Sequence, residues 1–387
     1  MSASRAEQRI VAQVSTDAEK TVRAWTDLPS GCLDVDWGEV GLLALQHRVE
    51  GLLHESLELA GCRDQVPVSV LSLLRRRAEL AETRYRACYD VLVELARRAP
   101  DLVSEMAFFK GAGMATRYGS PAHRMVGDFD FIVSSEHAGE LRALFGELDF
   151  WEKPGRNGPT YFGSALKPQI GSEYVVFDVH LDAPPKYNRP EPSRGALWLE
   201  SAVPDALGEI ACRRLPAELE LLELLTHASE HALSWVHVCL DDDVRLIRQL
   251  DVELLCEQEP IDPAAVAALA DRLGLAGELA LGLAIHRSLR GALPAALEHL
   301  RDRADAVGDL VDVVALPDGR QELWEVPLHE RAYRTDRGAL ALAMMPEGQR
   351  DRSHWFDWRK GLIRGSEDVA AVARLATDRL AATTGVG

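Results

Sequence analysis

The amino-acid sequence predicts an α/β (α+β) core with a small mixed sheet, flanked by N- and C-terminal helical regions. Three observations carry that reading. Residues 6–98 set apolar side chains at helical spacing with few β-branched runs. From 106 to 181, short apolar or alternating runs stand between glycine and proline breaks, as strands do. After the proline-rich stretch 184–192 the helical spacing returns. The resulting boundaries are 1–100 for the N-terminal helical region, 101–195 for the α/β core and 196–387 for the mainly helical C-terminal region.

The spacing predicts helices over 6–25, 37–59 and 68–98, with Asp36 capping the second and Pro67 opening the third. Met106-Ala-Phe-Phe109 reads as a strand ending in the tight turn Lys110-Gly111, followed by a short helix over 112–118 that Gly119-Ser-Pro121 breaks. Phe129-Asp-Phe-Ile-Val133 is the next strand, and 136–148 is a helix capped by Ser134 or Ser135. Two β-branched, aromatic-rich strands follow over 160–166 and 174–181. Further helices are expected over 216–231, 234–256, 263–273 and 276–289, then a hairpin of 311–314 with 323–326 around Pro317-Asp-Gly319, and a closing helix over 367–382. The segment 354–360, His-Trp-Phe-Asp-Trp-Arg-Lys, reads as a tail anchoring the core, with base stacking as its functional alternative.

Composition bounds the function. The chain has 387 residues, 47% hydrophobic and 27% charged, enough to build a sizeable core. Its net charge of −18 opposes broad binding to nucleic-acid phosphates or anionic lipid. No run is long and apolar enough for a membrane span, and the charged residues among the first twenty do not fit a signal peptide. The six cysteines are scattered with no CxxC pair, which disfavours a zinc ribbon or disulfide scaffold and fits free thiols in the cytoplasm.

The chemistry concentrates between Lys110 and Val133. Asp128 and Asp130 are two apart on a strand, so both carboxylates project to one face while Phe129 and Phe131 project to the other, into a core. Side-by-side carboxylates repel unless a cation lies between them. Mg²⁺ suits the place, as a hard ion that takes carboxylates, phosphate oxygens and water, and Mn²⁺ is the alternative ion. Gly127 leaves room for a ligand near the backbone. In Phe177-Asp-Val-His180, Asp178 and His180 share a face in the same way; if the two strands are neighbours, Asp178 completes a metal-binding triad with Asp128 and Asp130. Lys110, Gly111 and Arg124 supply charge and backbone amides for phosphates.

This stretch resembles the nucleotidyltransferase superfamily with the DNA polymerase β-like fold, and within it a bacterial branch with the pattern LKG…R…DxDxxV. That branch continues with a His-containing strand, a helix reading LLxLxxHxxxH and a W…D segment. Here these correspond to His180, to the helix carrying His227 and His231, and to Trp235 with Asp243, so that the resemblance covers roughly 106–250. It implies Asp128 and Asp130 as metal carboxylates, Asp178 as third ligand or base, and His180, His227, His231 and Asp243 as residues of the acceptor side or cleft. It implies transfer of a nucleoside monophosphate, AMP from ATP or another NTP, to a hydroxyl of a small-molecule or peptide acceptor, with tRNA kept as a further acceptor class and no membrane partner. The superfamily turn usually carries a serine; Gly111-Ala112 lacks that hydroxyl, and Lys110 is expected to take over its work.

Two alternatives stand beside this reading. One is a catalytically silent nucleotide- or partner-binding module of the same fold. The other is a zinc hydrolase, because His227-Ala-Ser-Glu230-His231 fits H-x-x-E-H, with the histidines one helical turn apart. Asp241-Asp-Asp243 reads as a helix cap or solvated surface, with Asp243 facing a cleft as the functional alternative.

Overall fold

The computed structural model describes residues 5–15, 19–21, 24, 35–152, 161–169, 173–181, 194–239, 242–316, 320–344 and 376–381. The proline-rich loop, the segment 354–360 and most of the closing helix lie outside them. The chain divides into two compact units, one of Met1–Arg77 with Leu221–Gly387 and one of Ala78–Glu220. We call them the helical unit and the sheet unit.

The helical unit begins with α1 (Arg5–Ala12), α2 (Trp37–His47) and α3 (Glu50–Leu59). Asp36 caps α2 through hydrogen bonds from the amides of Gly38 and Glu39. The single helix expected over 37–59 is broken because Arg48 takes a left-handed conformation (φ 56°) and closes α2. The 31-residue α4 (Val68–Arg98) follows, and the boundary between the units falls inside it.

The sheet unit continues with α5 (Pro100–Ser104), β1 (Ala107–Phe108), α6 (Lys110–Ala115), β2 (Phe129–Val133), α7 (Ala138–Glu147), β3 (Trp151–Glu152), β4 (Tyr161–Gln169), β5 (Glu173–Leu181), α8 (Arg194–Ser201), β6 (Val203–Leu207) and β7 (Ile210–Arg214). One mixed sheet runs in the order β3-β4-β5-β2-β1-β7-β6. It is larger than the small sheet expected, because β6 and β7 fall in what the sequence marks as the start of a mainly helical region. Their signal is weak: β6 is an exposed edge strand carrying Pro204 and Asp205. The pair closes through Gly208, whose φ of 62° favours glycine, and β7 adds to β1 in parallel.

Alternation on the central strands sorts the side chains. Phe129, Phe131, Phe177 and Val179 are fully buried on one face. The ring of Phe177 meets those of Phe129, Phe131, Phe145 and Phe150 at 5.3–6.3 Å between centroids. These aromatic contacts fix β2 and β5 to each other and to α7. The opposite face of the same strands is left for polar chemistry.

The helical unit resumes with α9 (Ala217–Leu233), whose first residues belong to the sheet unit, and then α10 (Trp235–Cys239), α11 (Leu246–Gln258), α12 (Pro263–Arg272), α13 (Ala276–Arg290), α14 (Arg301–Asp305), the hairpin β8 (Val313–Ala315) and β9 (Gln321–Leu323), α15 (Leu328–Arg331) and α16 (Arg337–Ala343). The helix expected over 234–256 is two, α10 and α11, with the acidic run between them. Gly282 lets α13 cross α9 closely: a Cβ there would stand 2.4 Å from the Leu225 carbonyl oxygen. Trp235 is buried and its indole donates to the Ala341 carbonyl at 2.8 Å. No described helix is long and apolar enough to cross a membrane.

Candidate active site

β2 and β5 are parallel neighbours, and Asp130 is register-paired with Asp178. Phe129 and Phe177 form the preceding pair, so the strands that bury the phenylalanines also aim both carboxylates at the other face. His180, two residues beyond Asp178, shares that face. Its Nε2 lies 3.2 Å from Asp130 Oδ1 and 3.9 Å from Asp178 Oδ2. Asp130, Asp178 and His180 each offer a ligand atom, all within 4.8 Å of one another. Asp130 and Asp178 are buried, at 5% and 6% exposure.

Asp128 immediately precedes β2 and is half-buried, outside the group that gathers around Asp130. Lys110 closes the site from β1. Its Nζ sits 3.3 Å from Asp130 Oδ1 and 4.9 Å from the centre of the Phe109 ring. The chain reverses at Lys110 itself, with φ 51°, rather than at Gly111, which lies inside the first turn of α6. The Phe109 amide donates to the Asp130 carbonyl at 3.3 Å, which holds this corner against β2. Arg124 is buried, donates to the Met125 carbonyl at 2.8 Å, and brings Nη2 to 3.8 Å from where a Cβ on Gly111 would stand.

Two aromatic residues that the sequence reading missed line the same face. The Phe109 ring meets His180 edge-on at 5.1 Å and Trp198 of α8 at 5.5 Å. Trp198 is 9% exposed and its indole nitrogen is buried without a hydrogen-bond partner. Nothing in the local sequence marks Trp198, because it reaches the site through the packing of α8.

A model of a family described as uncharacterised nucleotidyltransferase matches residues 34–291, more than half of the chain. The chain belongs to this family. It is a nucleotidyltransferase enzyme, and its α/β core stands among helices. No curated protein and no solved structure matches the chain. Nucleotidyltransferases act on NTPs with divalent metal, and the donor set fits such an ion. Two register-paired carboxylates give hard oxygen ligands, while the imidazole of His180 adds a nitrogen donor better suited to Mn²⁺ than to Mg²⁺.

Gly127 precedes Asp128 in the sheet unit, and the other predicted residues, His227, His231 and Asp243, lie in the helical unit. The His227 and His231 rings meet at 4.2 Å between centres, tilted by 59°, and those of His231 and His237 at 3.7 Å, tilted by 39°. His231, His237 and Asp242 form a second group of metal-ligand type; Glu230 is not part of it. Its carboxylate is already paired with two arginines. Arg248 Nη2 lies 2.8 Å from Asp242 Oδ1 and 2.9 Å from His231 Nδ1, the place a bridging cation would take, and Arg245 also pairs with Asp242 at 2.8 Å. Burial first, then the Arg248 charge, holds the His231 pKa well below its usual value; burial lowers that of His237 to about 4. Burial pushes Asp242 up, but its hydrogen bond with His231 and the two arginine charges outweigh that and keep its carboxyl well below the usual range. A divalent ion would meet net positive charge here, so this arrangement favours an ion-paired hub over the hydrolase zinc site that H-x-x-E-H suggests.

The described part of the acidic run, Asp242 and Asp243, is taken up by ion pairs. Asp241 lies outside the described residues, Asp242 is held by the two arginines, and Asp243 is fully buried against Arg337 at 2.9 Å. The five described cysteines, Cys62, Cys88, Cys212, Cys239 and Cys256, are free.

Proposed function

We propose that the enzyme moves a nucleoside monophosphate, AMP from ATP, onto a hydroxyl of a small-molecule or peptide acceptor and releases pyrophosphate. The register pairing of Asp130 with Asp178, with Lys110 at their side, is the observation that supports this most. Asp130 and Asp178, with His180 beside them, would hold Mg²⁺ or Mn²⁺, Asp128 at the start of β2 would be the further carboxylate, and the metal would supply charge neutralisation at the transferred phosphate. The acceptor oxygen attacks the α-phosphorus as the bond to the β-phosphate oxygen breaks. Asp178 takes the proton of the acceptor hydroxyl. Arg124 and Lys110 balance the charge that develops on the leaving pyrophosphate, and Gly111 and Gly127 let the nucleotide approach the backbone. Phe109 and Trp198 form the apolar wall beside His180 and limit water at that edge. The net charge of −18 supports a small-molecule or peptide acceptor over tRNA, and the free cysteines fit a cytoplasmic enzyme.

The test is pyrophosphate release with each NTP in turn, in Mg²⁺ or Mn²⁺, against a panel of hydroxyl-bearing metabolites and peptides. Asp130→Asn is expected to lower transfer by about a hundredfold or more, as loss of a metal-holding carboxylate does. Unchanged transfer in Asp128→Asn and Asp130→Asn together would overturn the assignment. Metal-dependent ATP binding with no pyrophosphate release from any acceptor would mark the silent module instead.

A further inference from the structure

Asp130 Oδ1 already serves two nitrogen groups. Lys110 Nζ lies 3.3 Å from it and His180 Nε2 lies 3.2 Å from it. The lysine is held in this place. Its side chain is only 12% exposed, its ammonium lies over the Phe109 ring, and its backbone has φ 51°, a region that L residues adopt at a cost. Such a strained residue next to a candidate site points to a function for the position of its side chain.

Electrostatics supplies that function. Two buried carboxylates in register need a cation close by. Without a metal, the Lys110 ammonium is a cation already in place at Asp130. A divalent ion on Asp130 and Asp178 would bring two positive charges to the oxygen that Lys110 contacts, and the ammonium would be repelled from it. The lysine stem is long and flexible enough to carry that charge away, and a triphosphate is the polyanion to receive it.

We propose that Lys110 is an internal counter-ion of the acidic site that competes with the metal and is released to the nucleotide triphosphate once the metal binds. This rests on the metal and NTP reading of the site given above. The consequence is coupling: metal alone binds weakly because it must displace Lys110, and metal with nucleotide binds well because Lys110 gains a new anionic partner. Removing the ammonium therefore moves the two affinities in opposite directions. A lysine that merely contacts phosphate would lower nucleotide affinity and leave metal affinity alone.

The experiment is calorimetric titration of the full chain with Mn²⁺ without nucleotide, and then with a non-hydrolysable ATP analogue at saturating Mn²⁺, for wild type, Lys110→Met, Lys110→Arg and Asp130→Asn. Lys110→Met is expected to bind Mn²⁺ alone about tenfold more tightly and the analogue about tenfold more weakly, within the usual span of coupling between sites. Lys110→Arg, which keeps the charge, is expected to hold Mn²⁺ affinity within a few-fold of wild type. A second readout needs no variant. An amine-acylating reagent followed by peptide mass spectrometry should label Lys110 slowly in the metal-free protein, several-fold faster with Mn²⁺ alone, and slowly again with Mn²⁺ and the analogue.

Equal or weaker Mn²⁺ binding in Lys110→Met, or labelling of Lys110 unaffected by Mn²⁺, overturns the counter-ion proposal. If wild type nevertheless binds Mn²⁺ and the analogue and Asp130→Asn does not, the nucleotidyltransferase site stands and only the role of Lys110 fails. If wild type binds neither, both fail.

Discussion

Asp243→Asn separates a structural from a functional reading of the acidic run. The Asp243 and Arg337 side chains are both fully buried, with Oδ1 and Nε 2.9 Å apart. Arg337 is fixed further by donating to the carbonyls of Ala332 at 2.6 Å and Val244 at 3.4 Å, so it cannot turn towards water when its partner is neutralised. Arg331 is also fully buried; burial lowers its pKa to about 10 while the Asp243 and Asp312 charges oppose that fall. Neutralising Asp243 therefore leaves one buried cation without its ion partner and a second with less compensation. Breaking a buried pair from one side costs about 3–5 kcal/mol. At about 2–4 °C per kcal/mol for units of this size, the melting temperature should fall by roughly 10 °C. The assay is thermal unfolding followed by circular dichroism, with urea unfolding as the check. Combining Asp243→Asn with Arg337→Met should recover much of the loss, because both charges leave the interior together. Melting within about 1 °C of wild type would refute the argument, since surface changes stay in that range. Loss of transfer with stability unchanged would refute it as well, by showing that Asp243 meets a ligand.

Glycines give three further tests. Gly282→Ala is expected to destabilise the helical unit by about 1–3 kcal/mol, because the new Cβ would stand 2.4 Å from a backbone oxygen that has little freedom to move; wild-type urea unfolding would count against the close crossing. Gly208→Ala should cost a similar amount, about 1–3 kcal/mol, from its φ of 62° and from Tyr89 Oη, 2.5 Å from the added atom. Gly111→Ala should leave the melting temperature unchanged or slightly raised, since its new neighbours stand at 3.7–3.8 Å and alanine favours a helix, while NTP affinity measured by calorimetry falls if the nucleotide approaches this backbone. Stability should also fall with acid. Burial lowers the pKa of both His47 and His286 to about 3, so between pH 6.5 and about 3 the unfolded chain binds protons that the folded chain refuses. Each contributes stability that is fully present above pH 6.5 and is lost as the pH falls, at about 1.4 kcal/mol per pH unit. Urea unfolding from pH 7 to 5 should show the two contributions added, approaching about 2.8 kcal/mol per pH unit, and a flat profile would exclude neutral buried histidines.

What the sequence made legible follows from the range over which each signal acts. The alternation of Phe129-Asp130-Phe131 and of Phe177-Asp178-Val-His180 is local, and the phenylalanines it sends to one face are fully buried there, while Asp128, just before β2, stays outside the group around Asp130. Whether β2 and β5 are neighbours is a question of topology, and no local pattern answers it. The neighbour relation turns two separate DxD-like patterns into one gathering of Asp130, Asp178 and His180. For the same reason Trp198 was invisible, because α8 reaches the site across a stretch of chain with no motif. The turn expected at Lys110-Gly111 is made by Lys110, which carries the positive φ, and a motif gives no sign of which of the two residues does so. Charge runs mislead in a different way. Asp241-Asp-Asp243 looks solvated because acids usually are, and only the arrival of Arg245 and Arg248 at Asp242 and of Arg337 at Asp243 makes the placement of those two tolerable. An acidic residue alternating with aromatics on a strand is therefore better evidence of a site than a run of acids. The strand pattern fixes which way each carboxylate points, whereas the run fixes nothing until its counter-charges are known.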